Sequence, residues 1–272
     1  MTARRLDEQA GPVVALLSHR PFAWFTDVDG TLSPIVQDPA EATVPPTLRA
    51  LAERLARRVD HFVVVSGRTP RHAREMVGVR RALYVGNHGL ARLERERETL
   101  IPEAEPYVAK VARLERELAE TLAVEGLVVE NKGPILALHY RAAPDPAAAR
   151  ESILAAARVH AAGLGMHVHE GRKVVELRPP INRDKGAAVH EVVSTMGVHG
   201  AVYVGDDLTD IDAFRALRAL RETGGLRAIS IAAAAPEVDA RVLREADFRV
   251  EGVEGVERLM AAVVRVLETG ER

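Results

Sequence analysis

The chain has 272 residues, 47% of them apolar and 28% charged, a composition that supports a sizeable core and excludes a disordered or fibrous protein. Basic and acidic residues nearly balance, 37 against 39, for a net charge of −2, so nothing favours nonspecific binding to nucleic acid. The absence of cysteine excludes disulfides, thiolate metal sites and a cysteine nucleophile.

No apolar run approaches the roughly 18 residues that span a bilayer. The stretch 12–17, after Arg4-Arg5, is too short for a signal peptide. These features lead to the expectation of a soluble cytoplasmic protein with no membrane partner. Only four of the 37 basic residues are lysine, namely Lys110, Lys132, Lys173 and Lys185, which singles those positions out among the arginines.

Along the chain, short apolar runs alternate with helical patterns. Residues 22–25 read as a buried strand that ends at Thr26-Asp27, and a helix follows from Pro45 with Leu48, Leu51, Ala52 and Leu55 on one face. Residues 62–65 are the next strand, Pro70 opens a helix, and 82–85 form a third strand. The mixed charge run 94–98 reads as a solvated hairpin or loop. After an interruption the pattern resumes as helix 185–196, strand 201–204, helix 210–221, strand 228–231, helix 236–244, strand 248–250 and helix 256–267. Such alternation predicts an α/β fold with a parallel sheet covered on both faces.

The interruption has a different grammar. Helix 107–122 leads to strands 127–130 and 135–140, and helix 146–162 leads to strands 166–169 and 173–177, turned at 170–172. That order predicts a small antiparallel sheet with two helices on one face. The expected division is a core of 1–102 and 179–272 with 103–178 inserted as a second domain. His167 and His169 alternate on one strand without a third ligand nearby and read as ordinary surface histidines.

Chemistry gathers at the strand ends, where parallel sheets hold their ligands. Asp27-Val-Asp29-Gly-Thr31 directly follows the first strand. Two acids, two residues apart on a glycine turn, suit metal-assisted phosphoryl transfer. One carboxylate attacks phosphorus while the other handles the proton. Ser66-Gly67-Arg68 follows the second strand and offers a hydroxyl and backbone N–H groups to a phosphate. Lys185-Gly186 opens a late helix, where a cation opposes the helix dipole and so calls for a partner. Gly205-Asp206-Asp207-Leu-Thr-Asp210 follows the strand 201–204. Asp206 reads as a metal ligand, with Asp207 and Asp210 behind it or capping the next helix.

These four motifs in this order resemble the haloacid-dehalogenase-like phosphohydrolase superfamily. The resemblance implies a Rossmann-like core, Mg²⁺, and a phospho-aspartyl intermediate at Asp27. It implies Asp29 as general acid and base with its backbone carbonyl on the metal, so that Asp27, Asp29 and Asp206 form the metal set. Thr31, Ser66, Gly67 and Lys185 would hold the phosphate. The insertion resembles the larger, C2B-type α/β cap of that superfamily.

Further segments are similar to trehalose-6-phosphate phosphatases: Gly86-Asn-His-Gly89, Glu130-Asn-Lys132, His139-Tyr-Arg141 and Glu176-Leu-Arg-Pro179. By that resemblance Glu130, Lys132, Arg141 and Glu176 grip the distal glucose, with Arg68, Asn87 and His88 also on the substrate side. Alternation puts Glu130 with Lys132, and His139 with Arg141, on one strand face. The implied substrate is trehalose 6-phosphate, the implied coupling is to trehalose-6-phosphate synthase, and a monomer is expected. Two further readings stand beside it: the same chemistry on a sucrose, mannosyl- or glucosyl-glycerate phosphate, or a silent sugar-phosphate sensor or synthase partner. The chain departs from the family pattern at Ile211, a position where many members of that family carry Glu, and in the stretch Pro179-Pro-Ile-Asn-Arg-Asp184, longer and more polar than the resemblance implies.

Overall fold

The computed structural model describes residues 3–6, 10–36, 38–171 and 173–270. Arg172, in the expected turn 170–172, and the extreme ends of the expected core lie outside the described residues. The chain divides into two compact units, one made of 1–35, 42–99 and 183–272, the other of 36–41 and 100–182. The segment 36–41, expected with the core, belongs to the second unit, where the Arg141 side chain donates to the Val36 carbonyl.

In chain order the first unit opens with β1 (Arg4–Arg5), α1 (Gly11–Leu16), β2 (Phe22–Thr26), α2 (Pro46–Ala56), β3 (His61–Val65), α3 (Pro70–Val77), β4 (Leu83–Gly86) and the β5 (Ala91–Glu94), β6 (Arg97–Leu100) pair. The second unit holds α4 (Glu105–Thr121), β7 (Val128–Asn131), β8 (Leu136–His139), α5 (Pro146–Ala162), β9 (His167–Gly171) and β10 (Val174–Arg178). The chain then returns with α6 (Lys185–Thr195), β11 (Gly200–Gly205), α7 (Asp210–Glu222), β12 (Arg227–Ala234), α8 (Ala240–Glu245), β13 (Phe248–Glu251) and α9 (Gly252–Thr269). Among the described residues no helix is long and apolar enough to cross a membrane.

The first unit is built on one sheet of order β1-β13-β12-β11-β2-β3-β4-β5-β6. Every pairing from β1 to β4 is parallel, and β5 runs antiparallel to β4. β2 is buried at every position because both faces are covered. Phe25, Val63, Val65 and Tyr203 face Val189, Val192, Phe214 and Leu217 of α6 and α7. The alternate residues Phe22, Trp24, Phe62 and Val64 are buried too, and α1, α2 and α9 pack against β11, β3 and β12. The charge run 94–98 spans the ends of β5 and β6, a hairpin as expected. α8 starts at Ala240, four residues later than the expected 236, because Asp239 accepts the Arg241 N–H at 2.8 Å and caps the helix there.

Strand order reverses around β2, since the chain leaves it toward β3 and comes back beside it as β11. This is the crevice where doubly wound sheets place ligands. The loop after β2 is tied to the end of β11 at its rim, the Asp27 N–H donating to the Val204 carbonyl at 2.9 Å.

The second unit is an antiparallel sheet of order β7-β8-β10-β9 with α4 and α5 on one face. Leu136, Leu138, Val175 and Leu177 point toward Val111, Leu114, Leu118, Ile153 and Ala157 of the helices. The register then puts Glu130, Ala137, Glu176 and His169 in one row across the opposite face. β8 ends at His139, so Arg141 stands beyond the strand rather than on the face of His139 as expected.

Candidate active site

The first acidic turn is shaped by its apolar residues. Val28 and Leu32 are fully buried, and the Leu32 and Ser33 N–H groups both donate to the Val28 carbonyl at 2.8 Å. Gly30 closes the turn at φ +82°, and a Cβ there would lie 1.9 Å from Asp206 Oδ2. Only glycine lets the two acidic loops approach this closely.

Lys185 is the hub. It is the first residue of α6, whose N-cap Asp184 accepts the Ala187 N–H at 2.7 Å. Its ammonium lies 3.0 Å from Asp27 Oδ2 and 2.7 Å from Asp210 Oδ1. Burial pulls its pKa down, but the facing Asp210 and Asp27 carboxylates overcome that and hold it above the ordinary lysine value. The unfavourable helix dipole is outweighed in the same way.

Asp210 is fully buried and accepts four hydrogen bonds. Lys185 and the Tyr203 hydroxyl reach Oδ1, each at 2.7 Å, and the Asp206 and Asp207 N–H groups reach Oδ2 at 3.0 and 2.9 Å. Its carboxylate therefore braces the loop from below. It is not the N-cap of α7, a position that falls to Thr209. Asp207 is exposed. Tyr203 went unassigned in the sequence because its place inside an apolar strand reads as core; burial, with Asp210 opposite, raises its pKa well above the ordinary phenol value.

Asp27, Asp206 and Asp210 each bring a carboxylate oxygen within 4.8 Å of one another. Burial, with further repulsion from Asp210 and Asp29, pushes Asp27 up to about 8 against the pull of Lys185. Burial and the facing Asp27 raise Asp206 well above the carboxylate range. Three carboxylates thus share one ammonium, and the donors are all hard oxygens. That set fits a small hard cation, whose charge relieves the repulsion. Thr31 is fully buried and its hydroxyl donates to Asp206 Oδ1 at 2.9 Å, which orients the acid.

The Asp29 carboxylate faces the other way, toward Arg68. Arg68 Nε and Nη2 each reach an Asp29 oxygen at 2.7 Å in a bidentate fork, while Nη1 lies 3.0 Å from His72 Nε2. The Ser66 hydroxyl accepts the Arg68 N–H at 3.2 Å. Gly67 lies under the His88 ring, where a Cβ would come within 2.7 Å of it. Asn87, buried, donates its N–H to the Arg68 carbonyl at 2.9 Å, and the His88 N–H reaches the Ser66 carbonyl at 3.3 Å. The turns after β3 and β4 are thereby knitted together. Ile211 is buried in the core between sheet and helices and takes no part in this network.

The second unit holds its own buried polar cluster. Lys132 Nζ lies 2.9 Å from Glu176 Oε1 and 3.7 Å from Glu130 Oε2, and His139 Nε2 lies 3.0 Å from the same Glu130 oxygen. Burial pulls Lys132 down, but Glu176 and Glu130 hold it above the ordinary lysine value. Arg178 pairs with Glu176 Oε2. It lies two residues along the same strand, and its i,i+2 spacing was the available signal. Arg141 donates to the Val36 carbonyl.

The profile of the trehalose-phosphatase family matches residues 25–244. The chain is 39% identical over 222 residues to the trehalose-phosphate phosphatase of Mycolicibacterium paratuberculosis, covering 74% of this chain and 53% of that protein. It is 33% identical over 205 residues to a probable trehalose-phosphate phosphatase of Oryza sativa, covering 71% of this chain and 55% of that protein. It therefore spans about half the length of these relatives. Among solved structures, the C-terminal domain of the C. albicans trehalose-6-phosphate phosphatase matches with a TM-score of 0.76 at 19% identity, covering 97% of this chain and 99% of that one. A trehalose-6-phosphate phosphatase related protein matches with a TM-score of 0.74 at 22% identity, covering 92% and 100%. These likenesses carry the fold, and the profile match over most of the chain carries the kinship. The chain belongs to the trehalose-phosphatase family.

Proposed function

We propose that the chain is a Mg²⁺-dependent phosphomonoester hydrolase that converts trehalose 6-phosphate to trehalose and phosphate through a phospho-aspartyl intermediate at Asp27. The observation that carries this reading is the Asp27 carboxylate itself. It is buried at the carboxyl end of β2, 3.0 Å from the Lys185 ammonium and clustered with Asp206. Asp27 and Asp206, with the Asp29 backbone carbonyl, would hold the cation. When bound, Mg²⁺ supplies the charge that keeps Asp27 ionised and offsets negative charge on the phosphoryl group.

In the first step an Asp27 oxygen attacks phosphorus and the bond to the sugar oxygen breaks. Asp29, turned far enough from the Arg68 fork for one oxygen to carry a proton, gives that proton to the sugar oxygen as trehalose leaves. In the second step Asp29, now a carboxylate, takes a proton from water. The resulting hydroxide attacks phosphorus, frees Asp27 and releases phosphate. Lys185 and the Ser66–Gly67 turn stabilise the phosphoryl oxygens throughout. Thr31 keeps Asp206 in place. In the second unit, read as the cap, Glu130, Lys132, Arg141 and Glu176 offer charged partners for sugar hydroxyls. The reading takes the chain as a cytoplasmic monomer whose substrate a synthase supplies.

The test is phosphate release from trehalose 6-phosphate, sucrose phosphate and the mannosyl- and glucosyl-glycerate phosphates. Each is assayed with Mg²⁺, after chelation, and with Asp27→Asn. Mg²⁺-dependent release from trehalose 6-phosphate that Asp27→Asn abolishes is expected. Release from a different sugar phosphate alone would retain the chemistry and replace the substrate. No release from any of them would sink the enzyme reading in favour of a sensor.

A further inference from the structure

Three charged side chains from three parts of the first unit form a chain that ends on the turn Asn87–Gly89. Arg92 on β5 lies 2.5 Å from Glu191 Oε1 on α6. The other Glu191 oxygen pairs with Arg183, whose Nε donates to the Gly89 carbonyl at 2.8 Å. Each of the three side chains is about a fifth to a third exposed, so water screens them only in part.

The turn they hold is a strained one. Asn87 and His88 stand at φ 52° and 55°, two consecutive non-glycine residues in the left-handed region. Such backbone persists where its surroundings over-determine it. The Arg68 and Ser66 carbonyls fix it from one side, accepting the Asn87 and His88 N–H groups. Arg183 fixes it from the other, at Gly89. The product of this arrangement is the His88 imidazole pressed against Gly67.

We infer that Arg183, aligned by Glu191 and Arg92, is a positioning residue that sets the His88 imidazole on the Ser66–Gly67 turn and thereby tunes its affinity for a phosphate group. The inference rests on the proposed reading of that turn as phosphate-binding. Arg183 belongs to the polar stretch 179–184 that leads into Lys185.

The experiment compares wild type, Arg183→Ala, Arg183→Lys, His88→Ala and the double variant Arg183→Ala/His88→Ala in the full chain. Three quantities are read: calorimetric affinity for inorganic phosphate, KM and kcat for trehalose 6-phosphate, and melting temperature. Loss of one charge-assisted hydrogen bond predicts about tenfold weaker phosphate binding and a matching rise in KM for Arg183→Ala, with kcat within about twofold. Arg183→Lys should recover most of it, because an ammonium can still donate to the Gly89 carbonyl. The double variant should bind phosphate no worse than His88→Ala. Unchanged phosphate affinity in Arg183→Ala, a fall in kcat alone, or effects that add in the double variant would each overturn the inference. Failure of the phosphatase reading is distinguishable, because wild type would then release no phosphate while the calorimetric affinities still report on Arg183.

Discussion

Arg68 holds both carboxylate oxygens of Asp29, its Nε on Oδ2 and its Nη2 on Oδ1, each at 2.7 Å. The residue expected on the substrate side is therefore bound to the proposed acid and base. A guanidinium fork fixes the plane of a carboxylate in a way an ammonium does not. Arg68→Lys should lower kcat by roughly tenfold to a hundredfold while KM for trehalose 6-phosphate changes little, since proton transfer belongs to the transition state. Steady-state kinetics decides the matter. A change confined to KM would return Arg68 to substrate binding.

Glu130 and Glu176 sit in one cluster but should fail in different ways. Glu176 is 6% exposed and answers the buried Lys132 and Arg178. Glu176→Ala withdraws the nearest carboxylate from a buried ammonium, which costs about 3–5 kcal/mol of stability. The Glu130 side chain is 32% exposed and stands 3.7 Å from Lys132. Glu130→Gln should leave the melting temperature nearly unchanged and raise KM for trehalose 6-phosphate about tenfold, with hydrolysis of p-nitrophenyl phosphate unaffected. An unchanged KM in Glu130→Gln would remove the sugar from this cluster.

Asp27, Asp206 and Lys185 could be found in the sequence because each follows or opens an element whose apolar pattern is plain. Parallel topology then brings strand ends together without further information. The antiparallel unit was legible for the same reason, with α5 at its expected bounds, 146–162. What the sequence did not show depends on pairings between residues far apart in the chain. Tyr203 meets Asp210 only because β11 runs under α7, and Arg183 meets Gly89 only because α6 packs beside the turn after β4. The place of 36–41 in the second unit, where Arg141 reaches the Val36 carbonyl, has no periodicity to announce it.

Asp60 anchors the start of β2, at the opposite end from Asp27. It accepts Arg20 Nη2 and the Phe22 N–H, both at 2.6 Å. Burial works to raise its pKa, but those hydrogen bonds prevail and hold it below the ordinary carboxylate value. Because the folded-state value is depressed, the stabilisation is present above the unfolded carboxylate pKa and is lost as pH falls through the folded one. Unfolding free energies of wild type and Asp60→Ala from urea titration should therefore differ by about 1–2 kcal/mol at neutral pH and converge under acid conditions below the folded value. A difference that persists in acid would assign the effect to packing rather than to the carboxylate.

Gly30 separates the cost of backbone conformation from the cost of disturbing the acids. At φ +82° alanine is strained, and its Cβ would fall 1.9 Å from Asp206 Oδ2. Gly197 stands at φ +62° with nothing within 4 Å of a Cβ. Both substitutions to alanine incur a left-handed backbone cost of about 1–2 kcal/mol. Only Gly30→Ala must also push Asp206 aside and break its hydrogen bond with Thr31. Both variants should lose a few degrees in melting temperature, about 2–4 °C per kcal/mol for a chain near this size. Gly197→Ala should keep its phosphate release, whereas Gly30→Ala should lose at least about a hundredfold, the scale on which misplaced reacting groups slow an enzyme. Equal activity in the two would mean that the Asp206 carboxylate does not need its present place, and the proposed cation site would have to be built from other oxygens.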